Sequence, residues 1–254
     1  MTENLSGKTN YGNWVSKRLI YVPAVMTVIC LALLFVSIFF LIGVVIFALL
    51  LAYFAYAYNK FSHGGGDIQT RVLDLVLKRI DWDGTGRAID IGCGNGALGI
   101  KVAKKYRNAR VIGIDYWGAD WDFAKETCMK NAGVESVIDR MEFQKASASS
   151  LPFTDEYFDL AVSNFVFHEV NDTKDKRDVI KEALRVLKKG GKFVFQDLFL
   201  VKHIYGDPND LIKTIKSWGV ENVEFINTSN ESFIPKALKL PFMIGRIGII
   251  YGTK

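Results

Sequence analysis

From residue 19 to residue 58 the chain runs for 40 residues without an Asp, Glu, Lys, Arg or His. Leu, Ile, Val, Phe and Ala fill most of it, and no water-facing surface accommodates so long an apolar run. As one helix it would extend roughly 60 Å at about 1.5 Å per residue, twice the roughly 30 Å hydrocarbon core of a bilayer. Two membrane spans are therefore expected, divided between Ser37 and Gly43. A signal peptide fits less well, because its apolar region is about 7–15 residues long and no small-residue cleavage site precedes polar chain here. Lys17 and Arg18 before the run and Lys60 after it place both flanks on the cytoplasmic face by the positive-inside rule. The expectation is a hairpin anchor: a multi-pass protein of the cell membrane whose remaining chain faces the cytoplasm. Tyr21, Tyr53, Tyr56 and Tyr58 lie near the outer ends, where amphipathic rings favour the headgroup layer. With no Asp, Glu, Lys, Arg or His inside the spans, nothing suggests an ion path, and anchoring is the simpler role.

Four segments follow: 1–18 on the cytoplasmic side, the hairpin at 19–58, a linker at 59–66, and 67–254 as one α/β domain. The linker holds Ser62-His63-Gly64-Gly65-Gly66, read as a flexible joint in which His63 has no evident partner. Asp67 is expected to cap a helix reaching residue 80, whose Ile68, Val72, Leu75, Val76 and Ile80 keep helical spacing. Strand-like segments at 87–91, 110–115, 141–146, 158–163 and 192–197 then alternate with helix-like ones at 96–106, 119–132 and 174–187. Such alternation predicts a Rossmann-like, mostly parallel sheet with helices on both faces. A helix near 210–218 and strands near 223–227 and 246–251 bring the sheet to seven strands.

The net charge of +5 is too mild to imply nucleic acid. Cys30, Cys93 and Cys128 are widely spaced and lack a neighbouring His cluster, so neither a disulfide framework nor a metal site is expected.

Chemistry concentrates where the first strand ends. Ala88-Ile89-Asp90-Ile91-Gly92-Cys93-Gly94-Asn95-Gly96-Ala97 joins a buried strand to a helix through three glycines, which let the backbone approach a ligand while the helix offers free N–H groups. Gly92-x-Gly94-x-x-Ala97 also satisfies the dinucleotide fingerprint, so the loop alone does not choose between cofactors, or between a ligand and a bare structural turn. Asp90, two residues before the first glycine, suits the amino group of a methionyl ligand rather than a pyrophosphate. Asp115, ending the second strand, suits a ribose diol in either case.

At this point the sequence resembles the class I S-adenosylmethionine-dependent methyltransferases, in the branch of small-molecule and ubiquinone/menaquinone-biosynthesis enzymes. Ser149-Ser150-Leu151-Pro152-Phe153 with Glu156-Tyr157-Phe158-Asp159, Ser163-Asn164-Phe165-Val166-Phe167-His168, Leu184-Arg185-Val186-Leu187-Lys188-Lys189-Gly190-Gly191 and Phe193-Val194-Phe195-Gln196-Asp197 carry the likeness. The resemblance implies that Asp90, Gly92 and Gly94 meet the methionyl part of S-adenosylmethionine, that Asp115 holds the ribose, and that Tyr116 lies against the adenine. Where the family has an acidic residue near position 147 this chain has Ser147, leaving the adenine to Ser147 and the Ala148 N–H. Asn164 would border the cofactor.

Methyl transfer from a sulfonium is an in-line displacement that asks the protein to align the nucleophile and, where needed, to take a proton; no metal is required. His168 is the candidate general base, and Glu169 would orient it or bind an amine. The expected acceptor is a small lipophilic or amphipathic molecule reached at the bilayer. Nucleic acid is disfavoured, since Ser163-Asn164-Phe165-Val166 stands where amino-group DNA methyltransferases carry an N/D-P-P-aromatic tetrad. A catalytically inactive cofactor-binding membrane module and an NAD(P)-dependent reductase are the alternatives. Trp117 and Trp121 are read as packing, and Cys93 as a small buried residue.

Overall fold

The computed structural model describes residues 7–118 and 124–254; the reading of Trp121 falls outside them. The chain forms two compact units, one of residues 13–72 and one that combines the N-terminal residues with 73–254. By contacts, residues 68–72 group with the smaller unit and residues 7–12 with the larger one.

In the smaller unit, α1 (Arg18–Leu33) and α2 (Phe40–Phe61) pack antiparallel. Trp14 lies 5.8 Å from Phe61 between ring centroids, and Cys30 fits against Gly43, where an added Cβ would come 2.7 Å from its Sγ. The break falls at residues 34–39, overlapping the predicted turn. Only α2, with 22 residues, is long and apolar enough to cross a membrane among the described residues. With 16 residues, α1 spans about 24 Å, short of the roughly 30 Å core. The predicted flexible joint is a wound turn: Gly65 and Asp67 N–H groups both donate to the Ser62 carbonyl, each at 3.1 Å, and a Cβ on Gly65 would meet the Asn59 carbonyl oxygen at 1.9 Å. His63 has a partner after all, since its Nδ1 lies 3.2 Å from Asp67 Oδ1. Beyond the turn runs α3 (Ile68–Arg79).

The larger unit is a seven-stranded sheet in the order β3-β2-β1-β4-β5-β7-β6. Its strands are β1 (Gly86–Ile91), β2 (Ala109–Asp115), β3 (Met141–Lys145), β4 (Phe158–Asn164), β5 (Leu187–Asp197), β6 (Asn222–Asn227) and β7 (Gly248–Thr253). The first five are parallel, while β7 runs antiparallel to both β5 and β6, so the sheet is mixed. The helices α4 (Ala97–Lys105), α5 (Lys125–Val134), α6 (Lys176–Arg185), the short α7 (Lys202–Tyr205) and α8 (Pro208–Ser217) connect the strands.

The central strands are apolar on both faces, as a sheet covered on both sides demands. Ile89, Ile91, Ala161, Phe193 and Phe195 pack with Val179, Ile180, Ala183 and Leu184 of α6 in one buried cluster. Truncating a fully buried ring such as Phe195 to Ala is worth about 3–5 kcal/mol in cores of this kind. Sequence order reverses between β1 and β4, and ligands of open α/β sheets bind beyond the carboxyl ends of strands at such a switch point.

Candidate cofactor and transfer site

The β1 turn is shaped by two glycines. Gly92 has φ +72° and its hypothetical Cβ would lie 2.1 Å from Val166 Cγ2, so a side chain there meets both strain and a clash. Gly94 has φ +55°, and its N–H donates to Asp115 Oδ2 at 2.8 Å. The other oxygen of that carboxylate, Oδ1, accepts from the Trp117 N–H at 2.8 Å, while Trp117 Nε1–H donates to the Gly94 carbonyl at 2.9 Å. The indole thus braces the glycine loop from the end of β2, a role that its reading as helix packing missed. Cys128 Sγ donates to the same Gly94 carbonyl at 3.0 Å. Cys93 is buried, and burial followed by Cys128, Asp90 and Asp115 pushes its thiol well up, which leaves it inert as expected.

Asp90 is buried beneath the loop and accepts from the Gly99 N–H, on α4, at 2.7 Å. Burial, partly offset by that bond and reinforced by Asp115, raises its carboxyl to about 7. Burial thus favours the neutral carboxyl, and a cation brought beside it would restore the charge.

Ser147 follows β3 and bonds not to open space but to Asp172 Oδ2, at 2.6 Å, and to Ser149 Oγ, at 2.9 Å. Asp172, from the loop before α6, brings a carboxylate to the position where the sequence lacks one. The Ser147 bond is the leading cause that holds its carboxyl below the usual range. Ala148 is buried, while Tyr116 is exposed with the Lys145 ammonium 5.2 Å from its ring centroid. Asn164, at the end of β4, has a buried Oδ1 with no hydrogen-bond donor among the described residues. An orphaned acceptor, a glycine turn closed to side chains and a carboxylate at the end of β2 fit a nucleoside bearing an amino acid.

Beyond β4 stands a cluster that the sequence shows only in part. His168 Nδ1–H donates to Asp197 Oδ1 at 2.5 Å, and Nε2 lies 3.2 Å from Glu169 Oε1. Asp197 ends β5, is buried, and also accepts from the Phe167 N–H at 2.8 Å. Burial by itself would lower the His168 pKa, but the charge and hydrogen bond of Asp197, helped by Glu169, outweigh it and raise the imidazole to about 10. These two carboxylates favour the imidazolium form of His168. Its hydrogen bond is the leading cause that lowers Glu169. Among the described residues no cluster of three or more His, Cys, Asp or Glu side chains could hold a metal ion.

Residues 89–195 match the model of a methyltransferase domain family. The chain is 31% identical over 132 residues to the 27-O-demethylrifamycin SV methyltransferase of Amycolatopsis mediterranei (strain S699), covering 52% of this chain and 46% of that protein. It is 27% identical over 137 residues to a ubiquinone/menaquinone biosynthesis C-methyltransferase of Geotalea daltonii, covering 52% and 55%. The chain thus spans about half the length of these curated relatives. In fold it is similar to the geranyl diphosphate C-methyltransferase of Streptomyces coelicolor A3(2), solved with S-adenosyl-L-homocysteine: TM-score 0.55, 14% identity, 72% of this chain and 75% of that one. The family match, rather than the glycine turn, separates this site from a nicotinamide site, because Asp115 would serve either ribose. Over residues 89–195 the chain carries a methyltransferase domain of the kind that uses S-adenosylmethionine.

Proposed function

We propose that this protein is a membrane-anchored methyltransferase that moves the methyl group of S-adenosylmethionine to a small lipophilic or amphipathic acceptor. The observation that carries the transferase reading is Asp90, whose carboxylate is buried beneath the glycine turn and held by the Gly99 N–H at 2.7 Å, where the ammonium of a methionyl group and not a pyrophosphate would sit. In this reading Asp115 turns from loop N–H groups to the ribose hydroxyls, Asp90 faces the methionyl ammonium with Gly92 and Gly94, Tyr116 covers the adenine, Ser147, Ala148 and Asp172 meet its edge, and Asn164 uses its orphaned oxygen. S-adenosylmethionine supplies an electrophilic methyl on a sulfonium.

His168 and Glu169 act beside it. Glu169 is half exposed while Asp197 is fully enclosed, so an arriving acceptor displaces Glu169 and leaves His168 held by Asp197. The freed Nε2–H then donates to the oxygen of an acceptor hydroxyl, whose proton passes to the displaced Glu169 carboxylate, and the hydrogen bond favours the anionic, nucleophilic form. Bound this way, His168 orients and stabilises the nucleophile rather than accepting a proton in the resting state.

The anchor reading rests on α2, exposed along almost its whole length and free of Asp and Glu. With α1 beside it and Lys17, Arg18 and Lys60 at the same end, the pair is read as a hairpin whose basic end, and the catalytic unit with it, lies in the cytoplasm.

Isothermal titration of the full chain in detergent with S-adenosylhomocysteine tests the site. Asp115→Ala is expected to weaken binding by at least about tenfold, roughly 1.4 kcal/mol. Equal affinity for NADH and S-adenosylhomocysteine, or no binding by folded protein, would sink the reading.

A further inference from the structure

The connection from β6 to β7, residues 228–247, leaves and rejoins the sheet at its carboxyl edge, where Asn227 pairs with Gly248 and Gly248 with Asp197. It is an ordered lobe. Ile234, Leu238, Ile244 and Ile247 point inward and are buried. The Ile244 N–H donates to the Leu238 carbonyl at 3.3 Å and the Gly245 N–H to the Leu240 carbonyl at 3.1 Å. Gly245 pinches the base, since a Cβ there would lie 2.0 Å from the Lys239 carbonyl oxygen. Outside the pinch stand Leu240, Pro241 and Phe242, all exposed, Phe242 to 67%. Lys236 and Arg246 are exposed beside them with Lys239 half-buried, and from Ser232 to Lys254 the chain has no Asp or Glu. The Leu200 N–H donates to the Arg246 carbonyl at 3.2 Å, tying the lobe to the segment that leaves Asp197.

An apolar tip in a segment that carries Lys236, Lys239 and Arg246 and, from Ser232 to Lys254, no acidic residue matches an anionic lipid surface in both chemistry and charge. We propose that Leu240-Pro241-Phe242 dips into an anionic membrane interface, and that Lys236, Lys239 and Arg246 hold phospholipid headgroups around it. The carboxyl edge of the sheet, with His168 and Asp197, then opens toward the lipid from which an amphipathic acceptor is drawn. The inference rests on the membrane reading above but concerns a different part of the chain from α2.

The test uses the full chain with a nitroxide on Phe242→Cys, and in a second preparation on Lys213→Cys of the exposed α8 face, read by collision with oxygen and with an aqueous nickel complex. The three native cysteines are buried, and titration with S-adenosylhomocysteine confirms that each variant is folded. On vesicles containing phosphatidylglycerol, the Phe242 label should lose most of its nickel collisions while the Lys213 label keeps them. The double variant Lys236→Glu, Lys239→Glu should restore nickel access at the tip. A chain that floats with vesicles while the Phe242 label stays as open to nickel as the Lys213 label overturns the tip and leaves the anchor standing. Equal protection on pure phosphatidylcholine overturns the anionic-surface proposal. A chain that floats with neither vesicle overturns tip and anchor together.

Discussion

His168 is held by charge, so its behaviour with pH follows from its partners. Its pKa in the folded chain, about 10, exceeds the ordinary imidazole value, and the stability it contributes is therefore complete below that ordinary value and lost as pH rises through about 10. Asp197→Asn removes the charge that opposes desolvation. The imidazole pKa, followed by NMR titration, should fall by several units, and the pH profile of methyl transfer should move to lower pH while KM for the cofactor stays fixed. An unmoved profile would reduce Asp197 to a structural strand end. Asp90 shares that direction at lower pH: burial raises its carboxyl to about 7, so it favours the fold when protonated, and that contribution is complete below the ordinary carboxylate range and lost as pH rises through about 7. Cofactor binding should therefore take up charge at Asp90, with proton release on titration below pH 7 that Asp90→Asn abolishes. At Gly92 the penalty is steric. Gly92→Ala must move the Val166 side chain and hold φ +72°, so its thermal midpoint should fall by an amount equivalent to about 1–3 kcal/mol.

Among the elements, α6 shows how local chemistry supports the site from behind. Asp175 caps it by accepting from the Arg177 N–H at 3.0 Å, and the preceding loop carries Asp172 to Ser147. Asp175→Ala should cost about 0.5–2 kcal/mol in chemical denaturation and loosen that loop. Strands and helices were legible in sequence because alternation of short apolar runs with helical spacing is a local signal. The longer β5, which begins at Leu187 through Gly190 and Gly191, was not, because it follows from pairing with β4 and from the Gly190 N–H bonding to the Lys254 carbonyl. Asp90, Gly92, Gly94 and Asp115 could be proposed for the same local reason, since they sit at a strand end or on the turn after one, whereas Asn164 entered only through the family resemblance. Asp197 and Asp172 could not, standing 29 and 25 residues from their partners His168 and Ser147. Only the adjacency of parallel β4 and β5 brings the first pair together, and only the return of the chain across the carboxyl edge brings the second.

For the molecule as a whole, the proposed anchoring role of α2 would set where the chemistry takes place. Leu49 lies near its middle and is exposed, and Leu49→Arg at the centre of a span costs about 2.5–3.5 kcal/mol of insertion free energy. The variant should shift from the membrane pellet to the supernatant after alkaline carbonate washing; retention equal to the parent chain would show that α2 does not span. The larger unit also recruits chain from ahead of α1. The Asn131 side chain accepts from the Asn10 N–H at 2.8 Å and donates to the Asn10 carbonyl at 2.9 Å and to the Asn95 carbonyl, in the glycine turn, at 3.0 Å. The hairpin is in this sense a loop inserted into the transferase unit rather than a leader placed before it. A protease that nicks the turn at residues 62–66 leaves the transferase unit still gripping residues 7–12 through Asn10 and Asn131, so one cut does not part it from the hairpin, and separation requires a second cut upstream of α1.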